Sequence, residues 1–152
     1  MNRLLFAILM AIFALASTAH ADDPDPSGWV ERCVDNSEGQ LNWLSEREEC
    51  LAVILTYCEF AQDQRVCFLN LETKYGDLGS NLLSGLPNTI EAESPQAEFY
   101  ISRLETLREI NTSVECKDYS SKEYCSAHVA IQKYLAASSL TAWLAELEGE
   151  QQ

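Results

Sequence analysis

The sequence contains no Cys-x-x-Cys pair, and only one of its two histidines, His128, lies beyond residue 20. Zinc sites draw closely spaced Cys and His ligands into a tetrahedron, so metal is the weaker reading of the cysteines. No Gly-x-Ser-x-Gly elbow surrounds a nucleophile, and no glycine-rich phosphate loop occurs. Basic residues are few, with ten Lys and Arg against 24 Asp and Glu, a net charge of −14. No basic patch is present for nucleic acid. Strand-like alternation of useful length is missing, as is any internal repeat. Only one long apolar run exists, and it lies at the N-terminus.

That run sets the expected compartment. Arg3 supplies a positive n-region, Leu4 to Ala16 an apolar h-region, and Ala19-His20-Ala21 the small-x-small pattern read by signal peptidase. The run is shorter than the roughly 20 residues that span a bilayer. Residues 1–21 are therefore expected to be a cleaved secretory signal, and residues 22–152 a single exported domain without a membrane anchor, periplasmic or secreted. Loss of Arg3 leaves nine basic residues against 24 acidic ones, a net charge of −15. Such a field repels nucleic acid and anionic membranes and draws cationic partners. Simple solubility explains the charge equally well.

Six cysteines follow the signal: Cys33, Cys50, Cys58, Cys67, Cys116 and Cys125. An even set in an exported domain reads as a disulfide framework. Six cysteines allow 15 pairings, which sequence does not strictly resolve. Nearest-neighbour pairing, Cys33–Cys50, Cys58–Cys67 and Cys116–Cys125, is favoured because each pair flanks an expected turn between helices.

Apolar periodicity predicts about five helices. A short one, capped by Ser27, carries Trp29, Val30 and Cys33 and ends near Val34, before a polar loop from Asp35 to Gln40. Ser45 and Glu48 form a capping box for a helix bearing Cys50, Leu51, Ile54, Leu55 and Cys58. A long helix runs from near Asp63 to about Leu86 on a stripe of Leu71, Tyr75, Leu78, Leu82 and Leu86, widened by Leu83. Gly76 and Gly79 interrupt it, suiting close helix contact or a kink. Ser94-Pro95 opens a fourth helix that buries Tyr100, Leu104, Leu107, Ile110 or Asn111, and Val114. It leaves Arg103, Glu105, Arg108 and Glu109 outside. Ser120 and Glu123 form a second capping box, before a last helix through Tyr124, Ile131, Tyr134, Leu135, Leu140, Trp143, Leu144 and Leu147. Its phase slips between Leu135 and Leu140, which predicts a bend or break at Ser138-Ser139. The expected fold is an all-α, antiparallel bundle braced by three disulfides.

Chemistry is sparse. His128, on a helix beside apolar neighbours, reads as a core-edge residue. Glu46, Glu48 and Glu49 sit in a first turn, where they favour the helix dipole. Asn111-Thr112-Ser113 matches a glycosylation sequon but falls within a predicted helix. No catalytic constellation, metal set or cofactor site emerges, so a non-enzymatic protein is expected.

Three stretches resemble the LprI-type lysozyme-inhibitor family of small exported bacterial helical proteins. Cys50-Leu51, seven residues before Cys58, and then Cys67-Phe68 resemble its paired-cysteine entry. Leu71-Glu72-Thr73-Lys74-Tyr75-Gly76-Asp77-Leu78 is similar to its Leu-Asn-x-x-Tyr-x-x-Leu helix, with Glu72 in place of Asn. Leu104 to Cys116 resembles its second long helix, which ends in an acidic residue and Cys, here Glu115-Cys116. By that resemblance Cys125 is the partner of Cys116. The likeness spans Cys33 to Leu144. Where members often carry Trp and Arg before this cysteine, the chain has Arg108 and Thr112, and the loop to the last cysteine is short, Lys117 through Tyr124. The resemblance implies a protein that binds and occludes a lysozyme-type cell-wall hydrolase, a cationic partner suited to an acidic chain. The turn bearing Lys117, Asp118 and Tyr119 is the candidate binding loop. The alternative is an envelope adaptor that docks another exported protein through Leu140, Trp143, Leu144 and Leu147.

Overall fold

The computed structural model describes residues 28–37, 43–91, 93–111, 115–119 and 121–150. The expected signal, residues 1–21, the Ser27 cap, Thr112 and the Ser120 cap lie outside them. Five helices form, α1 Trp29–Ser37, α2 Trp43–Phe60, α3 Gln64–Gly85, α4 Ser94–Glu109 and α5 Lys122–Glu150, with no strand among the described residues.

The helix ends show which local signals won. Asp63 caps α3, its carboxylate accepting from the Val66 amide at 3.1 Å. At the start of α5 the Ser121 hydroxyl accepts from the Tyr124 amide at 3.3 Å. The Ser45–Glu48 pair does not open α2, which starts two residues earlier at Trp43. Two residue types at a fixed spacing are a short pattern, and here it falls inside the helix. Asp35, Asn36 and Ser37 continue α1 instead of forming a loop. Their lower helix propensity costs at most about 0.7 kcal/mol apiece, which tertiary packing overrides.

Two further expectations are corrected. Helix α4 begins with Ser94 as its first helical residue, Glu93 being the cap, and stops at Glu109 rather than running on towards Val114. The Lys133 ammonium donates to the Ile110 carbonyl at 3.3 Å, satisfying an acceptor at that end. Asn111 is thus exposed beyond the helix. Helix α5 continues unbroken through Ser138 and Ser139. The Ser139 hydroxyl donates to the Leu135 carbonyl at 2.8 Å and Thr141 to Ala137 at 2.9 Å, so these side chains bond back onto the helix without breaking it. The apparent slip vanishes once Ala137 is counted, because Tyr134, Ala137, Leu140 and Leu144 keep one face inward.

Consecutive helices alternate in direction, so α3 and α5 run the same way. Phe68 meets Tyr124 near their starts with ring centres 5.5 Å apart, and Tyr75 meets Tyr134 further along at 5.3 Å. At about 1.5 Å per residue these helices are the long spine of the molecule, and their mutual contact is the most extensive in it. Gly79 explains how closely they approach. A Cβ there would lie 3.3 Å from the Tyr134 backbone nitrogen and Cα. The buried line of α3 accordingly runs through Phe68, Leu71, Tyr75, Gly79 and Leu83, with Leu78 and Leu82 at its border.

Two apolar cores are strung along this spine. The first joins Val30 of α1, Ile54 and Leu55 of α2, Leu71 and Tyr75 of α3, and Ile131 of α5. In the second, Tyr100, Leu104 and Leu107 of α4 pack against Leu83 and Leu86, and against Leu140 and Leu144 of α5. The disulfides join Cys33 to Cys50, Cys58 to Cys67 and Cys116 to Cys125, with Cα separations of 6.3, 5.5 and 5.6 Å. Each connects neighbours in the chain. Both wholly buried tyrosines have hydroxyl partners: Tyr75 donates to Glu31 at 2.7 Å, and Tyr100 to the Pro87 carbonyl at 2.6 Å.

Candidate functional site

A loop and a groove are the two features with the shape of a binding site. The loop starts after α4, where the Glu115 amide donates to the Asn111 carbonyl at 3.0 Å. Cys116 follows and is buried, as is Cys125 on the first turn of α5. Their bridge pins both sides of the turn to the molecule. Between them the Tyr119 amide donates to the Cys116 carbonyl at 3.3 Å, turning the chain outward. Tyr119 is 56% exposed. Lys117 and Asp118 stand beside it in solvent, 3.9 Å apart. An ion pair this exposed contributes little stability, so both charges are available to a partner. The three residues therefore sit together on one anchored turn.

The groove was not legible in the sequence. Helix α5 is covered by α3 on one side. On another, the start of α2 and the length of α4 flank it without closing over it, leaving an open space of about 670 Å³. Phe99, Arg103, Leu107 and Ile110 line the α4 wall. Leu135, Ala136, Ser139 and Trp143 line the α5 wall, and Glu48 and Leu51 come from α2. Phe99 and Trp143 meet edge to face at 5.6 Å and close one end. The available signal was a second apolar row on α4, Phe99 with Ile110, beside the buried row of Tyr100, Leu104 and Leu107. Only three-dimensional neighbours show that this row borders a space.

The remaining candidates fall elsewhere. His128 is half-buried on α5, its ring stacked on Tyr124 with centres 6.3 Å apart, and burial pushes its pKa below the ordinary 6.5. Glu31 ties α1 to α3, its carboxylate 2.5 Å from the Lys74 ammonium and accepting from Tyr75. Burial pushes its pKa up, but Lys74 and Tyr75 outweigh burial and the net shift is downward. Glu31 is distant from the loop in sequence, whereas His128 lies three residues past Cys125 with its ring against Tyr124; both serve packing. Arg108, where the resembled family often has Trp, donates to the Asn88 side chain at 2.9 Å and holds α4 to the preceding loop. Leu140 and Leu144 are only 4% and 8% exposed, committed to the second core, with Trp143 and Leu147 half-buried.

Among the described residues no cluster of His, Cys, Asp and Glu has the arrangement of a metal site, and no helix is long and apolar enough to cross a membrane. Searched against protein-family models, curated proteins and solved structures, the chain matches none.

Proposed function

We propose that the protein is a non-enzymatic binding protein of the cell envelope that docks on a cationic partner of the lysozyme type and occludes its cleft. The observation that carries this reading is Tyr119, projecting from a turn whose two sides are fixed by a buried disulfide. A pinned aromatic with flanking charges loses little entropy on docking, and aromatic anchors supply much of the binding energy in protein interfaces. The three disulfides support an oxidising compartment. The net charge of −14 supports a cationic partner and fast, salt-sensitive association. The resemblance in the cysteine frame supports the partner class.

The adaptor reading has less behind it. Its proposed face on α5 is largely occupied, since Leu140 and Leu144 pack inside the molecule. The deciding experiment is a lysozyme turbidity assay with oxidised protein at low and at physiological salt. Inhibition that weakens with salt, and weakens again in Tyr119→Ala, is the expected result. Unaltered lysozyme activity in excess protein at both salts removes the proposal.

A further inference from the structure

We infer that the groove between α4 and α5 binds a single acyl chain with one carboxylate, a free fatty acid of about dodecanoate length. Its volume of about 670 Å³ lies within the roughly 300–1,000 Å³ typical of small-molecule sites, which are mostly apolar with a few placed polar groups. The walls fit that description. Phe99 and Trp143 close one end as an aromatic wedge, while Leu107, Leu135 and Ala136 continue the apolar surface.

The polar content selects the head group. Arg103 stands part-way along the α4 wall and makes no ion pair with a carboxylate among the described residues. Its neighbours on the same side of the molecule are engaged, Arg108 with Asn88 and Lys133 with the end of α4, and among the described residues Arg103 alone of the cations lines the groove. A guanidinium at an apolar groove binds a carboxylate through paired N–H donors. One cation balances one negative charge. Phosphates bearing more charge meet Glu48 on the facing wall and the acidic field of the whole chain. A cationic head would meet Arg103 itself. This site is separate from the Tyr119 loop and does not depend on the lysozyme reading.

The test is calorimetric titration of the full oxidised protein with dodecanoate below its micelle concentration, alongside dodecanol and dodecylamine. Dodecanoate is expected to bind saturably at one site and more tightly than either congener. Arg103→Gln should weaken dodecanoate about fivefold, a modest factor because the arginine is solvent-exposed, and leave dodecanol unchanged. Thr106→Trp changes an exposed groove-wall residue and should abolish dodecanoate binding while helical circular dichroism is retained. Three results overturn the inference: no saturable dodecanoate binding, equal binding of all three chains, or full affinity in Arg103→Gln. Self-association that Thr106→Trp abolishes, without dodecanoate binding, reassigns the groove to an interface between copies.

Discussion

All six cysteines fall in or beside the first core, and the second core holds together without one. The difference follows from the lengths of the pieces. Helix α1 has nine residues, well below the 12–15 at which an isolated helix is even marginal. It contributes mainly Val30 and Trp29 to the first core. Its retention depends on tethers, namely the Cys33–Cys50 bridge and the Glu31 contacts with Lys74 and Tyr75. Helix α4 has 16 residues and brings three buried large side chains, Tyr100, Leu104 and Leu107. Burying such a side chain is worth about 1.5–3 kcal/mol, enough to hold the helix by packing. Covalent staples sit where local packing is thin.

Reduction of the disulfides is the largest way to break this comparison. The bridged residues are 17, 9 and 9 apart in sequence, and loop-closure entropy assigns about 3 kcal/mol to each bridge. Losing all three removes an amount comparable with the whole stability of a small domain, about 5–15 kcal/mol. At partial reduction, hydrogen exchange should show α1 and α2 losing protection while α4 keeps it. Simultaneous loss everywhere would mean the two cores do not open separately.

The mirror experiment is Leu104→Ala, which truncates a fully buried side chain of the second core. A cost of about 2–5 kcal/mol is expected, measured by urea unfolding. Its exchange signature should be reversed, with protection lost first in α4 and retained in the stapled α1–α2 hairpin.

A smaller pair of substitutions sharpens the account of the spine shared by both cores. Gly76 and Gly79 lie three residues apart on α3, yet a Cβ at Gly76 meets nothing within 4 Å. Gly76→Ala should stabilise by up to about 1 kcal/mol, the helix-propensity gain alone. At Gly79 the new methyl presses on the Tyr134 backbone, which cannot move aside as a side-chain tip does. Gly79→Ala should therefore lose the propensity gain and destabilise by about 1 kcal/mol or more. Thermal melts of the two variants, shifting in opposite directions, check this.

These glycines also show where sequence reading stops. Five helices, their order and the apolar faces of Leu71, Tyr75, Tyr100 and Leu104 were legible, because large side chains recur at helical period. Gly79 suits close helix contact by sequence alone, and it makes one, but that its partner is α5 was not legible, since small residues such as Ala127, Ala130 and Ala137 carry little hydropathy signal. The predicted break at Ser138-Ser139 came from the same blindness to Ala137. Turn chemistry made the Lys117–Tyr119 loop visible, whereas the groove needs three helices placed side by side. Arg103 and Glu105 both read as outward charges on α4, and only packing reveals that Arg103 borders an apolar space.

Titration offers the finest distinction between the two cores. In the first, His128 is held below its ordinary pKa of 6.5 by burial, and Glu31 below 4.5 by Lys74 and Tyr75 against the opposing effect of burial. In both cases the unfolded chain takes up its proton at a higher pH than the folded one. Stability is thus full above the unfolded values and declines as pH falls, first below about 6.5 through His128 and then below about 4.5 through Glu31. In the second core Tyr100 is shifted the other way, burial raising it above 10.0 despite the pull of Arg108. The unfolded chain loses that proton first, so stability is present below about 10 and declines as pH rises through the folded value. Acid should therefore loosen the stapled end and alkali the unstapled one. Trp29 packs on Tyr57 in the first region and Trp143 on Phe99 in the second, so their indole NMR signals report the two ends separately. Trp29 moving first in acid and Trp143 first in base is the expected pattern, with Tyr100→Phe removing only the alkaline step. Identical midpoints for both indoles at both extremes would show one cooperative unit, with the bridges stabilising the whole spine equally.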